Sequence, residues 1–174
     1  MTRAQIEERA AQVLRDHKLL SVPVDPLQVA KALGIKVMNA VFAESGKSGA
    51  IVKRGEKFSI FVNANDSPGR KRFTIAHEIG HKLLHMSTGE DSEFVDTEDN
   101  FRSAEPSDDP GWTRERTKEW EANAFASALL MNRELVMKIW TGIRDPALVA
   151  WKFQVTEPAM AVRLTQLGLI NELS

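Results

Sequence analysis

The chain has 174 residues, of which 43% are apolar and 27% charged, and its formal net charge is −1. This composition is ordinary for a soluble globular domain, and the near-zero charge gives no overall attraction to nucleic acid or membrane surfaces. No apolar run approaches the ~20 residues that span a bilayer, and the charged N-terminal stretch lacks the apolar core of a signal peptide, so we expect a cytoplasmic protein. Because there is no cysteine, any metal must be bound by His, Asp or Glu.

The N-terminal part of the chain predicts two helices. Residues 2–18 place their apolar side chains on one face, and Thr2 with Gln5 resembles a capping box. Asp25 can cap a short second helix through Ala32.

A change of periodicity then predicts strands followed by a central helix. Residues 35–42 have the pattern of a strand, and residues 49–63 that of a β-hairpin turning at 54–56. The second hairpin arm, 57–63, could be an edge strand that pairs with an extended substrate or an ordinary core strand. Residues 70–86 return to the helical period.

Residues 87–111 differ from the rest in composition. They contain nine acidic residues and a single basic one, Arg102. We predict a long acidic loop, which either shields a site or recruits a basic partner, or is a solvated insertion.

The remainder predicts helices only. The helical period runs from 113 to 131, and further helices can begin after Asn132, Asp145 and Thr156. The whole pattern therefore predicts a small α+β domain: a short sheet, a central helix and a helical C-terminal part.

The C-terminal stretch, residues 147–170, weakly resembles a helix-turn-helix. However, its second helix has only Arg163 as a basic residue, whereas DNA-reading helices usually offer several groups to phosphates and bases. Trp151 and Phe153 favour packing instead. Direct DNA binding is therefore the weaker interpretation.

The central helix contains the pattern H-E-x-x-H at residues 77–81. Residues four apart lie one turn apart on the same helix face, so His77 and His81 can bind one metal ion. Glu78 is adjacent and can act on a metal-bound water without being a ligand. The competing interpretation is an amphipathic helix that merely contains histidines.

A third ligand has three candidate sources. The metzincin extension, which requires glycine and histidine, is absent because Leu84 and Ser87 occupy those positions. His85 lies one turn beyond His81, too far along the helix to share an ion with His77, so we expect it behind the ligands. In the next long helix, Glu119 and Glu121 lie about 200° apart and cannot both face a metal. Asn123 shares a face with Glu119 and can orient a ligand, which favours Glu119 as the ligand and Glu121 as a surface carboxylate or salt-bridge partner.

The stretches RFTIAHEIGHKLLH and EWEANAFASALLM together resemble the ImmA/IrrE-type metallopeptidases, as do the N-terminal segment SVPVDPLQVAKALGIKV and the order of elements. One departure is Asn132, where the family usually has proline. The resemblance implies a zincin fold of gluzincin type, with His77, His81 and Glu119 binding Zn²⁺ and with Glu78 catalytic. It also divides the chain into a metallopeptidase-like domain (1–140) and a helical C-terminal extension (141–174).

The resemblance further implies an endopeptidase that cleaves a regulatory protein, usually a helix-turn-helix repressor, in a phage, mobile-element, toxin–antitoxin or stress-response system. Zincins often use Tyr or His to stabilise the oxyanion, and this chain contains no tyrosine; His85 or Arg72 are the candidates. The alternative function is a non-proteolytic regulator that keeps the fold and acts through DNA or protein binding. Only the peptidase needs a general base at Glu78.

Overall fold

The computed structural model describes residues 1–43, 46–86, 92–97, 106 and 111–171, with residues 92–97 described by their backbone alone. These residues form helices and a mixed sheet, in agreement with the predicted α+β class. In chain order the elements are α1 (Arg3–Asp16), α2 (Pro26–Ala32), β1 (Ile35–Ala40), β2 (Lys47–Arg54), β3 (Lys57–Asn63), α3 (Pro68–His85), β4 (Ser92–Thr97), α4 (Arg114–Leu130), α5 (Arg133–Gly142), α6 (Pro146–Phe153) and α7 (Glu157–Gln166).

The helices begin where the capping residues predict. Thr2 and Gln5 form the reciprocal capping box of α1, in which each side chain accepts from the other's backbone N–H. Asp25 caps α2, and Asn132 accepts from two backbone N–H groups at the start of α5. Asn132 therefore provides a normal helix start at the position where the resembled family has proline.

The sheet has the strand order β1-β3-β2-β4. Strands β2 and β3 form the predicted antiparallel hairpin, in which Arg54 pairs with Lys57 across the turn. Strand β1 lies parallel to β3, with Ile35 opposite Phe58, and β4 is antiparallel to β2. The edges are therefore β1 and β4.

The structure decides between two alternatives for one strand and corrects one prediction. The 57–63 arm is the ordinary core strand and not the edge strand, because β3 lies between β1 and β2; its alternating pattern indicates which face is buried and contains no information on its neighbours in the sheet. The predicted loop 87–111 also contains a strand, β4. Its sequence SEFVDT includes good strand formers among the acidic residues, and the backbone of β2 supplies its hydrogen-bonding partners. The rest of that segment, apart from Pro106 and Gly111, lies outside the described residues.

Helices α3 and α4 pack closely against each other in the core. A Cβ atom placed on Gly80 would lie 3.2 Å from both the Cα and the carbonyl oxygen of Ala122. The absence of a side chain at Gly80 thus permits the backbone of α3 to approach that of α4. The two helices that carry the candidate ligands are consequently held at short range.

The C-terminal helices pack into the same core. Phe153, Met160 and Leu164 are buried there, and Arg163 is only 1% exposed. The Arg163 guanidinium pairs with both carboxylate oxygens of Glu7 and donates to the backbone oxygen of Met131. The helix-turn-helix pattern is present as two helices and a turn, but the one basic residue of its second helix, Arg163, is used in this internal contact.

Trp151 differs from the prediction, because it is 75% exposed while Phe153 is buried. The division of the chain at residue 140 stays a prediction. Among the described helices, none combines the length and apolarity needed to cross a bilayer.

Candidate metal centre

The two motif histidines lie in the buried part of α3. His77, Glu78 and His81 are all 0% exposed, because this stretch of helix is covered by the sheet on one side and by α4 on another. As the four-residue spacing predicts, the Nε2 atoms of His77 and His81 face each other at 2.9 Å.

Glu119 completes the cluster from α4. One carboxylate oxygen, Oε2, lies 3.4 Å from His77 Nε2, and the other, Oε1, lies 3.4 Å from His81 Nε2. Among the described residues, these three side chains form a group of potential metal ligands whose ligand atoms all lie within 4.8 Å of one another. The prediction of Glu119 over Glu121 agrees with this placement.

The spacing of these atoms fits a tetrahedral zinc ion. With bonds of about 2.0–2.1 Å, neighbouring ligands of such an ion are separated by about 3.3 Å. The two His–Glu separations of 3.4 Å agree with this value, and the His–His separation of 2.9 Å is a few tenths of an ångström shorter. Glu119 is the partly exposed member of the cluster, with 18% of its side chain accessible.

The ligand His77 is oriented from behind by Asn123. Its Nδ1 atom lies 2.8 Å from Asn123 Oδ1, which accepts the Nδ1–H proton when Nε2 is the ligand atom. Asn123 lies one turn after Glu119 on α4, as the sequence predicts. The same face of α4 therefore provides a ligand and the support for another ligand.

His85 lies on the far side of His81 from the cluster. Its Nδ1 is 3.0 Å from His81 Nδ1, and its Nε2 is 2.9 Å from Glu121 Oε2. The prediction that His85 lies behind the ligands agrees with this position. Both ring nitrogens of His85 are occupied by these contacts, and its suggested role at an oxyanion stays a prediction.

Glu121 is buried, with 7% exposure; it forms an ion pair with the N-terminal ammonium of Met1 and a hydrogen bond with His85. It is the salt-bridge partner foreseen as one alternative, and is not a surface group. Burial raises the pKa of Glu121, but the hydrogen bonds from the ammonium and from His85 lower it by more. The pKa of Glu121 therefore lies below its usual range. Desolvation by burial lowers the pKa of His85 to about 4, against the raising effect of its bond to Glu121.

Arg72, the other oxyanion candidate, has a different role. Its guanidinium donates to the backbone oxygen of Val24 at 2.8 Å, before the start of α2. Burial lowers the pKa of Arg72, and the nearby Asp25 carboxylate opposes that shift. Arg72 thus connects α3 to the N-terminal segment.

Glu78 lies against strand β2. A Cβ atom on Gly49 would be 2.9 Å from Glu78 Oε1 and 2.3 Å from the γ-methyl of Thr74, one turn earlier on α3. Next to it, Ser48 accepts a hydrogen bond from Arg70 at 2.8 Å, which holds the strand to the helix. The sequence did not lead us to expect the close approach of Gly49 to Glu78, although a glycine inside an apolar strand often marks such an approach.

Comparisons with known proteins agree with this geometry. A family model described as the IrrE N-terminal-like domain, a peptidase family, matches residues 30–165. The radiation response metalloprotease IrrE of Deinococcus deserti is 36% identical over 86 residues, which are 49% of this chain and 27% of that protein. The aligned part is thus about a quarter of that relative's length.

A solved structure of a Mycobacterium tuberculosis transcriptional regulator has a similar fold. It superimposes with a TM-score of 0.62 over 93% of this chain and 46% of its own, at 18% sequence identity. At that identity the similarity concerns the fold alone. The family match covers most of the chain and includes both ligand-bearing helices, and this protein therefore belongs to the ImmA/IrrE family of metallopeptidases.

Proposed function

We propose that this protein is a zinc-dependent endopeptidase in which His77, His81 and Glu119 bind the ion and Glu78 is the general base. The observation that carries the proposal is the convergence of three ligand side chains, whose atoms lie 2.9–3.4 Å apart, together with the buried carboxylate of Glu78, the residue after His77 on α3. Two histidines and one glutamate are a protein ligand set of catalytic zinc sites, whereas structural zinc sites have four protein ligands. Among the described residues, three such side chains converge.

Each residue then has a defined task. When bound, zinc supplies Lewis-acid chemistry for peptide hydrolysis. Glu78 accepts a proton from the attacking water and delivers it to the leaving amine. Asn123 holds His77 in the ligating tautomer, because the side-chain carbonyl oxygen of Asn123 can only accept a hydrogen bond, from His77 Nδ1–H.

We propose a helix-turn-helix transcriptional repressor as the substrate, in a phage, mobile-element, toxin–antitoxin or stress-response system in the cytoplasm. Support comes from membership of the family and from the Deinococcus relative, which is described as a radiation response metalloprotease. The alternative, a non-proteolytic regulator, would require its own binding surface. DNA binding through α7 is disfavoured because Arg163, the basic residue of that helix, is buried against Glu7.

The metal assignment is tested by zinc content after saturation and removal of loosely bound ions. We expect about one zinc per chain in the wild type, because three ligands of the right type converge. Glu119→Ala should lose this zinc, whereas Glu121→Ala should still bind one ion at saturating zinc. Equal zinc content in wild type and Glu119→Ala would contradict the ligand set.

The enzymatic assignment is tested by incubating wild type and Glu78→Gln with a candidate helix-turn-helix repressor from the same genome. We expect cleavage to fall by about 10²–10⁴-fold with zinc content unchanged, since general base catalysis contributes that much. Glu115→Gln is the control, an exposed carboxylate on α4, and should cleave normally. Full biological activity in Glu78→Gln would favour the non-proteolytic regulator.

A further inference from the structure

Behind His81 lies a chain of polar side chains that the proposed reaction does not use. It runs from His81 Nδ1 to His85 Nδ1 at 3.0 Å and from His85 Nε2 to Glu121 Oε2 at 2.9 Å. All three groups are buried or nearly so: the His81 side chain is 0% exposed, that of His85 4% and that of Glu121 9%. A chain of hydrogen bonds in such surroundings is stronger than the same bonds in water.

The direction of every hydrogen bond in this chain follows from the ionised carboxylate of Glu121. At one end, an ionised carboxylate can only accept, so His85 Nε2 must carry a proton and donate to Glu121. The other nitrogen of a neutral His85, Nδ1, is then an acceptor. His81 Nδ1 must therefore donate to it, which leaves His81 Nε2 without a proton and facing His77 and Glu119.

We infer that His85 and Glu121 are positioning residues for the metal centre: they hold His81 in its ligating tautomer and orientation through a carboxylate–imidazole–imidazole chain. This rests on the proposed function only in assuming that the cluster binds zinc. His77 is supported differently, by the neutral amide of Asn123. The two histidine ligands thus differ in their supports, and the one behind His81 ends in a full negative charge, which increases the basicity of the ligand.

The chain also connects the metal centre to two helices. His85 is the last residue of α3 and Glu121 lies in the second turn of α4, so a bond between them holds the C-terminal end of α3 to the beginning of α4. The other oxygen of Glu121 contacts the N-terminal ammonium. Glu121 is therefore held in place on both oxygens, which favours a single orientation of the chain.

The test is the zinc dissociation constant, measured by competition with a chromophoric chelator at neutral pH. For His85→Leu and Glu121→Ala we expect the constant to rise by about 10–100-fold, the usual effect of removing a group that orients a ligand. His85→Gln should remain close to wild type, because its amide offers one acceptor and one donor in place of the two ring nitrogens. Glu115→Ala, an exposed change on the same helix as Glu121, is the matched control.

A purely structural role is separated by two further readouts. Thermal unfolding of the metal-free variants shows whether they are folded at the temperature of the zinc titration. The Nδ1–H proton of His81, observed by NMR in the zinc-bound protein, should be protected from exchange in wild type and His85→Gln and lost in His85→Leu. Folded His85→Leu protein that binds zinc within twofold of wild type would overturn the inference and leave the proposed function standing. Absence of zinc binding in the wild type would overturn the proposed function, and the inference with it.

Discussion

The contact between strand β2 and helix α3 predicts a specific effect of Gly49→Ala. The new Cβ atom would lie 2.3 Å from the Thr74 γ-methyl and 2.9 Å from Glu78 Oε1, whereas carbon atoms in normal contact are about 3.5–4.0 Å apart. An overlap of more than an ångström must be relieved inside the core, where Thr74 is 0% exposed and its β-branched side chain has few rotamers. We expect unfolding free energy to fall by about 1–3 kcal/mol, measured by urea denaturation of the metal-free protein.

A second substitution identifies the source of this effect. Thr74→Ser removes the methyl group that is in the way and keeps the hydroxyl, so Gly49→Ala combined with Thr74→Ser should be more stable than the sum of the single changes by about 1 kcal/mol or more. Peptidase activity should be low in Gly49→Ala and in the double variant alike, because the new Cβ atom lies 2.9 Å from Glu78 Oε1 in both. Gly69→Ala is the control, since a Cβ atom there meets nothing within 4 Å. A stability change below about 0.5 kcal/mol in Gly49→Ala, or strict additivity with Thr74→Ser, would refute the reasoning.

Three further predictions follow from other contacts. Gly80→Val should weaken zinc binding and lower the melting temperature, because Ala122 backbone atoms lie 3.2 Å from the position of a Cβ atom; wild-type values for both would contradict the close helix approach. Arg163→Met should lower unfolding free energy by about 2–3 kcal/mol in urea, as it leaves Glu7 without its bidentate partner. In metal-free protein, stability should fall between pH 7 and pH 4, because unfolded His85 binds a proton near pH 6.5 and folded His85 only near pH 4. This loss, at most about 3 kcal/mol, should be smaller in His85→Gln across the same urea titrations.

Much of the site could be predicted from the sequence because its signals are local. The spacing of His77 and His81 needs only the geometry of one helix, and the choice of Glu119 over Glu121 needs only their angle on a helix and the position of Asn123 on the same face as Glu119. Helix boundaries at Thr2 and Asn132 follow from side chains that satisfy neighbouring backbone N–H groups. Each of these depends on residues within a few positions of one another.

The strand order was decided by long-range pairing. The alternation in residues 57–63 shows that one face is buried, but the position of β3 between β1 and β2 depends on segments that are distant in the chain. The acidic composition of 87–111 hid β4 for the same reason, since the partner that satisfies its backbone, β2, lies some forty residues earlier. Period and composition describe a segment and contain no information on its partners.

The contacts that support the metal centre also join elements that are distant in the chain. The sequence by itself determined which residues offer ligand atoms, because H-E-x-x-H and the helix containing Glu119 are each local patterns. Only the tertiary structure decided that Glu121 is buried beneath His85, that Gly49 leaves room for Glu78, and that Arg163 is used inside the protein. Each of these depends on how closely two elements approach each other, and that distance is set by the packing of the whole core.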